Sequence, residues 1–262
     1  MSFIDAPSTF NLNHLFVSIE GEEKTGKTHL ALTIAQKGFT TGVIDLNDGL
    51  GGVIDKRVRE IGKGWIKVAK HPIPDGVDKA AIKVAATREW AEMRPDLINS
   101  LKSNRATVVD SGTEIWLLSR QSEFGDAKTE SKKGSLDYEA ANSKVRGLYR
   151  LYHAHPSHLI ITHQLDDEWK GQKDPNTGQI KNVRSGRRKL DGFKEIPFMV
   201  QVMLRTDKVI TDTGLHFIAT LTACRFSPQL EGTEFSSENG MFDLPFIFGF
   251  ITDTDRETWL NR

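Results

Sequence analysis

Cysteine is nearly absent from this sequence: Cys224 is the single one in 262 residues. A lone thiol excludes an intrachain disulfide and a thiolate metal cage, and it points to a reducing, cytoplasmic setting. Net charge is absent too, since 35 Lys and Arg balance 35 Asp and Glu. That balance excludes a chain held on nucleic acid by bulk charge, so any polyanion site must be a local patch. Long apolar runs are missing. Residues 241–251 (MFDLPFIFGFI) carry an Asp and a Pro, and fall short of the ~20 apolar residues that cross a bilayer. The opening MSFIDAPSTFNLNHLF has neither a basic leader nor an apolar stretch, so no signal peptide is expected. Repeats and low-complexity tracts do not occur. What is present, 38% hydrophobic and 27% charged residues, suits a globular chain with a real core and no membrane partner.

Short β-branched runs alternate with helical patterns, which predicts an α/β fold with a mainly parallel central sheet flanked by helices. Residues 15–19 (LFVSI), 42–46 (GVIDL), 65–69 (WIKVA), 106–110 (ATVVD) and 158–162 (HLIIT) read as strands. Leu30, Ala31, Ile34 and Ala35 share a helical face ended by Gly38. A second helix is expected over 78–93, ended or kinked by Pro95. Tyr138, Ala141, Val145, Leu148, Tyr149 and Tyr152 recur at helical spacing. Beyond His163 the chain turns polar, and Asp174-Pro175-Asn176-Thr177-Gly178 predicts the turn of a projecting hairpin. Residues 199–205 and 215–224 read as last strands, with an irregular, Phe-rich tail from Phe226. The expected division is a core over 1–225 with an insertion at 166–194, and a C-terminal extension over 226–262.

The chemistry begins at Gly21-Glu22-Glu23-Lys24-Thr25-Gly26-Lys27-Thr28, followed by His29. This run matches G-x-x-x-x-G-K-[ST] between a strand and a helix start, where backbone N–H groups converge on phosphate. Lys27 supplies charge to the outer phosphates, and the Thr28 hydroxyl is suited to Mg²⁺. Asp110, at the end of a buried strand, is the candidate second metal ligand, with Asp45 its weaker rival. Ser111 follows it where many ATP-driven motors place a water-orienting acid, so that group must come from elsewhere. Glu23, Asp48 and Glu114 are the candidates. His153, His155 and His158 lack the cysteine or acidic partner a metal site needs. Residues 181–194 (KNVRSGRRKLDGFK) set Lys181, Arg184, Arg187, Arg188, Lys189 and Lys194 against Asp191 alone. With Trp169 and Phe193 beside them, they form a candidate groove for single-stranded nucleic acid.

Four segments together resemble the RecA-like P-loop ATPases, and most of all the small phage-type ATP-binding proteins of single-strand annealing and recombination. They are GEEKTGKT, VIDLNDGL, VVDSGTEIW and LIITHQ. The resemblance spans roughly residues 12–225 and implies ATP and Mg²⁺ as cofactors, a homo-oligomer, and single-stranded DNA as partner, with a single-strand-binding protein as a further one. It implies that Gln164 senses the γ-phosphate, that DNA binds the loops after it, and that Arg225 serves as a finger in a neighbour's site. Two positions depart from the pattern: Asn47 replaces the family's catalytic Glu, and Ala223 replaces a Lys. Two other readings stay open. One is a P-loop kinase of a nucleotide or small metabolite, with Arg184–Arg188 as its lid. The other is a nucleotide-gated scaffold with weak hydrolysis.

Overall fold

A computed structural model describes residues 14–125, 138–173 and 180–260. The expected turn at 174–178 and the reading of the first thirteen residues lie outside them. The elements run β1 (Phe16–Gly21), α1 (Lys27–Leu32), β2 (Thr41–Asp45), α2 (Gly51–Ile61), β3 (Ile66–Lys70), α3 (Lys79–Ser103), β4 (Ala106–Asp110), α4 (Gly112–Phe124) and α5 (Glu139–Arg150). They continue with β5 (His158–Lys173), β6 (Ile180–Leu190), α6 (Ile196–Met199), β7 (Val202–Thr211), β8 (Gly214–Cys224), β9 (Glu234–Ser236), α7 (Leu244–Ile251) and α8 (Arg256–Leu260).

Among the described residues the strands form one sheet in the order β3-β2-β4-β5-β1-β7-β8-β9, with β6 paired to β5. The contacts from β3 through β7 are parallel, while β8 and β9 are antiparallel additions. Period-two alternation sorts the strand residues onto two faces. Val17, Ile19, Val43, Val108 and Ile160 pack with α1 and with Leu244, Ile247 and Phe248 of α7. Phe16, Ile44, Val109, Leu159 and Ile161 pack with Met93, Leu97 and Leu101 of α3, Ile115 and Leu118 of α4, and Val145 and Tyr149 of α5. Both faces are covered, as a parallel sheet requires. The chain beyond Arg225 thus adds β9 to the sheet and α7 to the core.

The expected strands and the helix at 139–150 are present. Three elements differ. Helix α3 runs through Pro95 for 25 residues instead of ending before it. Proline forfeits one bond to the carbonyl four residues earlier, but Leu97, Ser100 and Leu101 beyond it are buried against the sheet, and that packing outweighs the local preference. Helix α1 is shorter than the apolar spacing suggested, with Ile34 and Ala35 lying beyond it, yet both are fully buried. Strand β5 does not stop near Thr162. It continues to Lys173 because β6 supplies its backbone with an antiparallel partner.

Candidate active site

Every parallel strand delivers its C-terminal end to the same edge of the sheet, where ligands bind in open α/β folds. Gly21 ends β1 there. A Cβ on Gly21 would lie 2.4 Å from Thr206 Oγ1 and 2.6 Å from Thr25 Oγ1, so only glycine fits between the loop and β7. Thr25 pins the loop from inside: its Oγ1 is 2.8 Å from Thr206 Oγ1 and 2.9 Å from the Glu22 carbonyl. Gly26 turns the chain into α1 at φ 89°, a left-handed conformation that glycine adopts without strain. Lys27 Nζ folds back to donate to the carbonyls of Gly21 at 2.9 Å and Glu22 at 2.5 Å. Burial pushes its pKa down, against the pull of Asp110, Glu23, Glu114 and Glu22. A partly buried ammonium hydrogen-bonded to neutral carbonyls is a cation ready for a stronger anion. Lys24, Gly26, Lys27, Thr28, His29, Val53, Lys56 and Phe217 line a cavity of about 390 Å³ beside the loop. The His29 ring stacks on Phe242.

The candidate metal corner comes from two distant segments. Thr28 Oγ1 donates to Asp110 Oδ2 at 2.9 Å, and Thr162 donates to Asp110 Oδ1. Asp110 is buried at the end of β4, between β2 and β5. A hydroxyl and a carboxylate are hard oxygen donors, and Mg²⁺ commonly takes one or two such protein ligands with phosphates and water completing the shell. Thr28 and Asp110 therefore fit Mg²⁺. Asp45, the rival, is also buried, which raises its pKa, but its carboxylate accepts the Asn47 N–H at 3.1 Å.

The three candidate water-positioning acids separate clearly. Asp48 sits at φ 51° and its carboxylate pairs with Lys70 in the open. Glu23 is exposed on the loop. Glu114, in the first turn of α4, is half-buried, accepts the Ser111 hydroxyl, and acts on the charge of Lys27. Burial raises the Glu114 pKa, and the neighbouring Asp110 adds to the rise.

Gln164 pairs in register with Gly21, which places it beside the loop. Its backbone N–H donates to Thr113 Oγ1 at 3.0 Å, and Thr113 donates to the Asp191 carbonyl at 2.7 Å. The start of α4, β5 and the end of β6 are thereby tied together. His163 points the other way. It is fully buried, with Nδ1 3.0 Å from Ser18 Oγ, and burial holds its pKa down at about 3. It is a neutral core histidine.

The hairpin arginines meet more acid than the spacing suggested. Asp191 is not their sole counter-charge, because β5 lays Asp166, Asp167 and Glu168 along β6. Arg184 Nε lies 3.0 Å from Asp167 Oδ2, and Arg188 Nη1 lies 2.6 Å from Asp167 Oδ1. Arg188 Nη2 also reaches Glu22 Oε1 of the phosphate loop at 2.9 Å. Arg187 and Lys189 are exposed, and Lys181 lies on β6. Trp169 is 50% exposed with Arg184 over its ring. Phe193 is buried between Trp116 and Tyr149, so it is core and not a stacking platform for bases.

Arg225 follows β8, which runs antiparallel to β7 and ends where β7 begins, opposite the phosphate loop. Its guanidinium donates to the Phe198 carbonyl. It is remote from its own loop, so a finger role is open only toward another subunit.

Some contributors escape sequence reading. Thr162, which holds Asp110, stands two residues before Gln164 on the same strand face; that alternation was the available signal. Thr206 and the buried Glu20, whose carboxylate binds Arg205 at 2.8 Å, depend on β7 lying beside β1, a long-range pairing without a local motif.

No protein-family model matches the chain, and no curated protein sequence matches it. Among solved structures it is similar to a KaiC-like protein from Pyrococcus horikoshii, at 11% identity and a TM-score of 0.44, over 85% of this chain and 84% of that one. It is also similar to the flagellar accessory protein FlaH from Methanocaldococcus jannaschii, at 15% identity and a TM-score of 0.42, over 85% and 84% of the two chains. The class rests on the molecule's own topology. Strand β1, which leads into the G-x-x-x-x-G-K-T loop, and strand β4, which ends in Asp110, flank β5 in a mainly parallel, helix-covered sheet, the arrangement of a P-loop α/β fold. No helix among the described residues is long and apolar enough to cross a membrane.

Proposed function

We propose that this chain binds ATP with Mg²⁺ at the C-terminal edge of the sheet and hydrolyses it, as an oligomer acting on single-stranded DNA. One observation carries the nucleotide reading. The Thr28 hydroxyl, directly after the loop lysine, meets Asp110 from a separate strand at 2.9 Å. That contact assembles a phosphate cradle and a hard-cation corner in one place. Mg²⁺, when bound, supplies charge neutralisation between the phosphates. The protein's own groups do the rest. The loop amides and Lys27 hold the phosphates, Gln164 stands beside them, and Glu114 positions and deprotonates the attacking water. Catalysis of this kind is mostly positioning and electrostatics. Glu114 favours hydrolysis over a passive scaffold, since it offers the acid that Asn47 does not. Changing Asp110 to Asn should leave metal-free ATP binding near normal and reduce Mg²⁺-dependent turnover at least tenfold, because a neutral amide is a poor ligand for a hard cation. A magnesium titration of phosphate release that matches the wild type would remove Asp110 and this site.

The hairpin supports the DNA part of the proposal by its charge and its exposed indole. Residues 166–194 hold eight basic and five acidic residues, and Arg187 and Lys189 are exposed while Arg184 and Arg188 pair with Asp167. Changing Arg187 and Lys189 together to Ala should weaken single-stranded DNA binding and flatten its salt dependence. Each lost contact lowers the slope of log K against log salt by ~0.7, so two lower it by about 1.4. An unchanged slope in fluorescence anisotropy would separate the hairpin from nucleic acid. Arg225 in this reading acts on a neighbour's nucleotide.

A further inference from the structure

The ion pair between Arg188 and Glu22 joins two parts with separate roles, the projecting hairpin and the phosphate loop. Its geometry is built by a bulge. Pairing of β5 with β6 steps from Trp169–Arg184 to Asp167–Arg188, so three β6 residues, 185 to 187, oppose Glu168 alone. Ser185 donates to Glu168 at 2.7 Å, Arg187 N–H donates back to Ser185 Oγ at 3.1 Å, and Gly186 takes φ 77°. Bulges of this kind re-aim side chains beside sites. Without the two extra residues, Gly186 would face Asp167 and Arg188 would fall two positions further along the strand. With them, Arg188 stands opposite Asp167, three residues past the Gln164–Gly21 pair. That is ~10 Å along the strand from the end of β1, within the span of an extended arginine side chain from phosphates seated above the loop.

The partners of Arg188 make it releasable. Asp167 uses its second oxygen to bind Arg184 at 3.0 Å, so the hairpin keeps a cross-strand ion pair if Arg188 leaves. The Glu22 and Arg188 side chains are 59% and 39% exposed, and pairs so open to water are weak. A terminal phosphate carries more charge than one carboxylate, and a guanidinium binds it through two parallel N–H bonds. Glu22 is itself an acid inside a loop meant for phosphate, and Arg188 offsets its charge while nucleotide is absent.

Resting on the nucleotide reading above, we propose that Arg188 is a phosphate-contacting residue of the same subunit's site, held by Glu22 and Asp167 until a nucleoside triphosphate draws it to the terminal phosphate. The hairpin that carries Arg188 then takes one position with triphosphate bound and another with diphosphate. Arg188 belongs to the nucleotide site and leaves DNA contact to the exposed Arg187 and Lys189.

The test is calorimetric titration of ATP and of ADP, each with Mg²⁺, into the full chain and its variants, with Lys27→Ala as the control for loop binding. Arg188→Ala should weaken ATP at least tenfold and change ADP less than twofold, and Arg188→Lys should restore part of the loss. Glu22→Gln should tighten ATP severalfold, and that gain should be smaller in the Glu22→Gln/Arg188→Ala double variant, where only the lost charge repulsion remains. Equal loss for ATP and ADP in Arg188→Ala would mean that Arg188 only braces the loop, and would overturn the proposal. So would wild-type affinity in Arg188→Ala, or a Glu22→Gln gain that is undiminished without Arg188. Should the folded wild type bind neither nucleotide, the nucleotide reading itself fails and this proposal with it. That outcome differs from a wild type that binds ATP in a Lys27-dependent way while ignoring Arg188.

Discussion

Lys27→Ala is expected to cut ATP turnover by a factor of about 10³ or more while the chain keeps its fold. The effect follows from what the Lys27 ammonium touches. Its two hydrogen-bond acceptors are the Gly21 and Glu22 carbonyls, and neither belongs to the packed faces of the sheet. Removing the side chain therefore deletes charge at the edge and leaves the core intact. Removing one well-placed donor from a site that stabilises developing charge costs about 10²–10³ in rate, and a full positive charge on the transferring phosphoryl group stands at the upper end or beyond. Burial pushes the Lys27 pKa down, so the native side chain is under-compensated until phosphate arrives. The variant should thus be at least as stable as the wild type without nucleotide, and should lose the stabilisation that ATP confers. Phosphate release and thermal shift measured on one preparation check both halves. Near-normal turnover in a folded variant would remove the loop from the active site.

The sequence made legible what is local or periodic. The phosphate loop was readable because four fixed positions sit between a β-branched run and a helix start, and each position has its own steric or electrostatic reason. The two-faced strands were readable because alternation at 17–19, 43–44, 108–109 and 159–161 is dense in β-branched residues. Asp110 was readable as the polar end of such a run. What could not be read depends on which strands lie side by side. The Thr162–Asp110 bond requires β5 to neighbour β4, and the Thr25–Thr206 contact requires β7 to neighbour β1. The charge of residues 181–194 misled for the same reason, since its neutralising acids lie on the other strand of the hairpin. Phe193 looked like an exposed aromatic among basic residues, yet the turn after β6 tucks it beneath Trp116. Pro95 shows the converse: a correct local rule, overridden because the helix beyond it buries Leu97 and Leu101.

Glu114 is the point at which the nucleotide reading becomes a hydrolysis mechanism, and Glu114→Gln should separate the two. The amide keeps the size of the side chain and its acceptor for the Ser111 hydroxyl, but it cannot take a proton from water. ATP binding should therefore stay within about twofold of wild type, while turnover falls by ~10²–10⁴, the usual contribution of a positioned general base. The pH dependence has a definite sign. Burial raises the Glu114 pKa, and only the ionised form acts as a base. Wild-type kcat should thus climb with pH through a midpoint above the ordinary carboxylate range, and the variant should lose that limb. Stability moves oppositely. A carboxyl whose folded pKa is raised makes the native state bind more protons, so its contribution falls as pH rises through that window. Glu114→Gln removes the liability, and should unfold at higher denaturant than the wild type at neutral pH and at the same denaturant once Glu114 is protonated. The opposed pair of effects, lost turnover with gained stability, marks an acid retained for chemistry. If the same substitution at Glu23 or Asp48 produced the rate loss and Glu114→Gln left kcat and its pH profile unchanged, the base would lie on the loop or after β2, and Glu114 would be a partner for Ser111 alone.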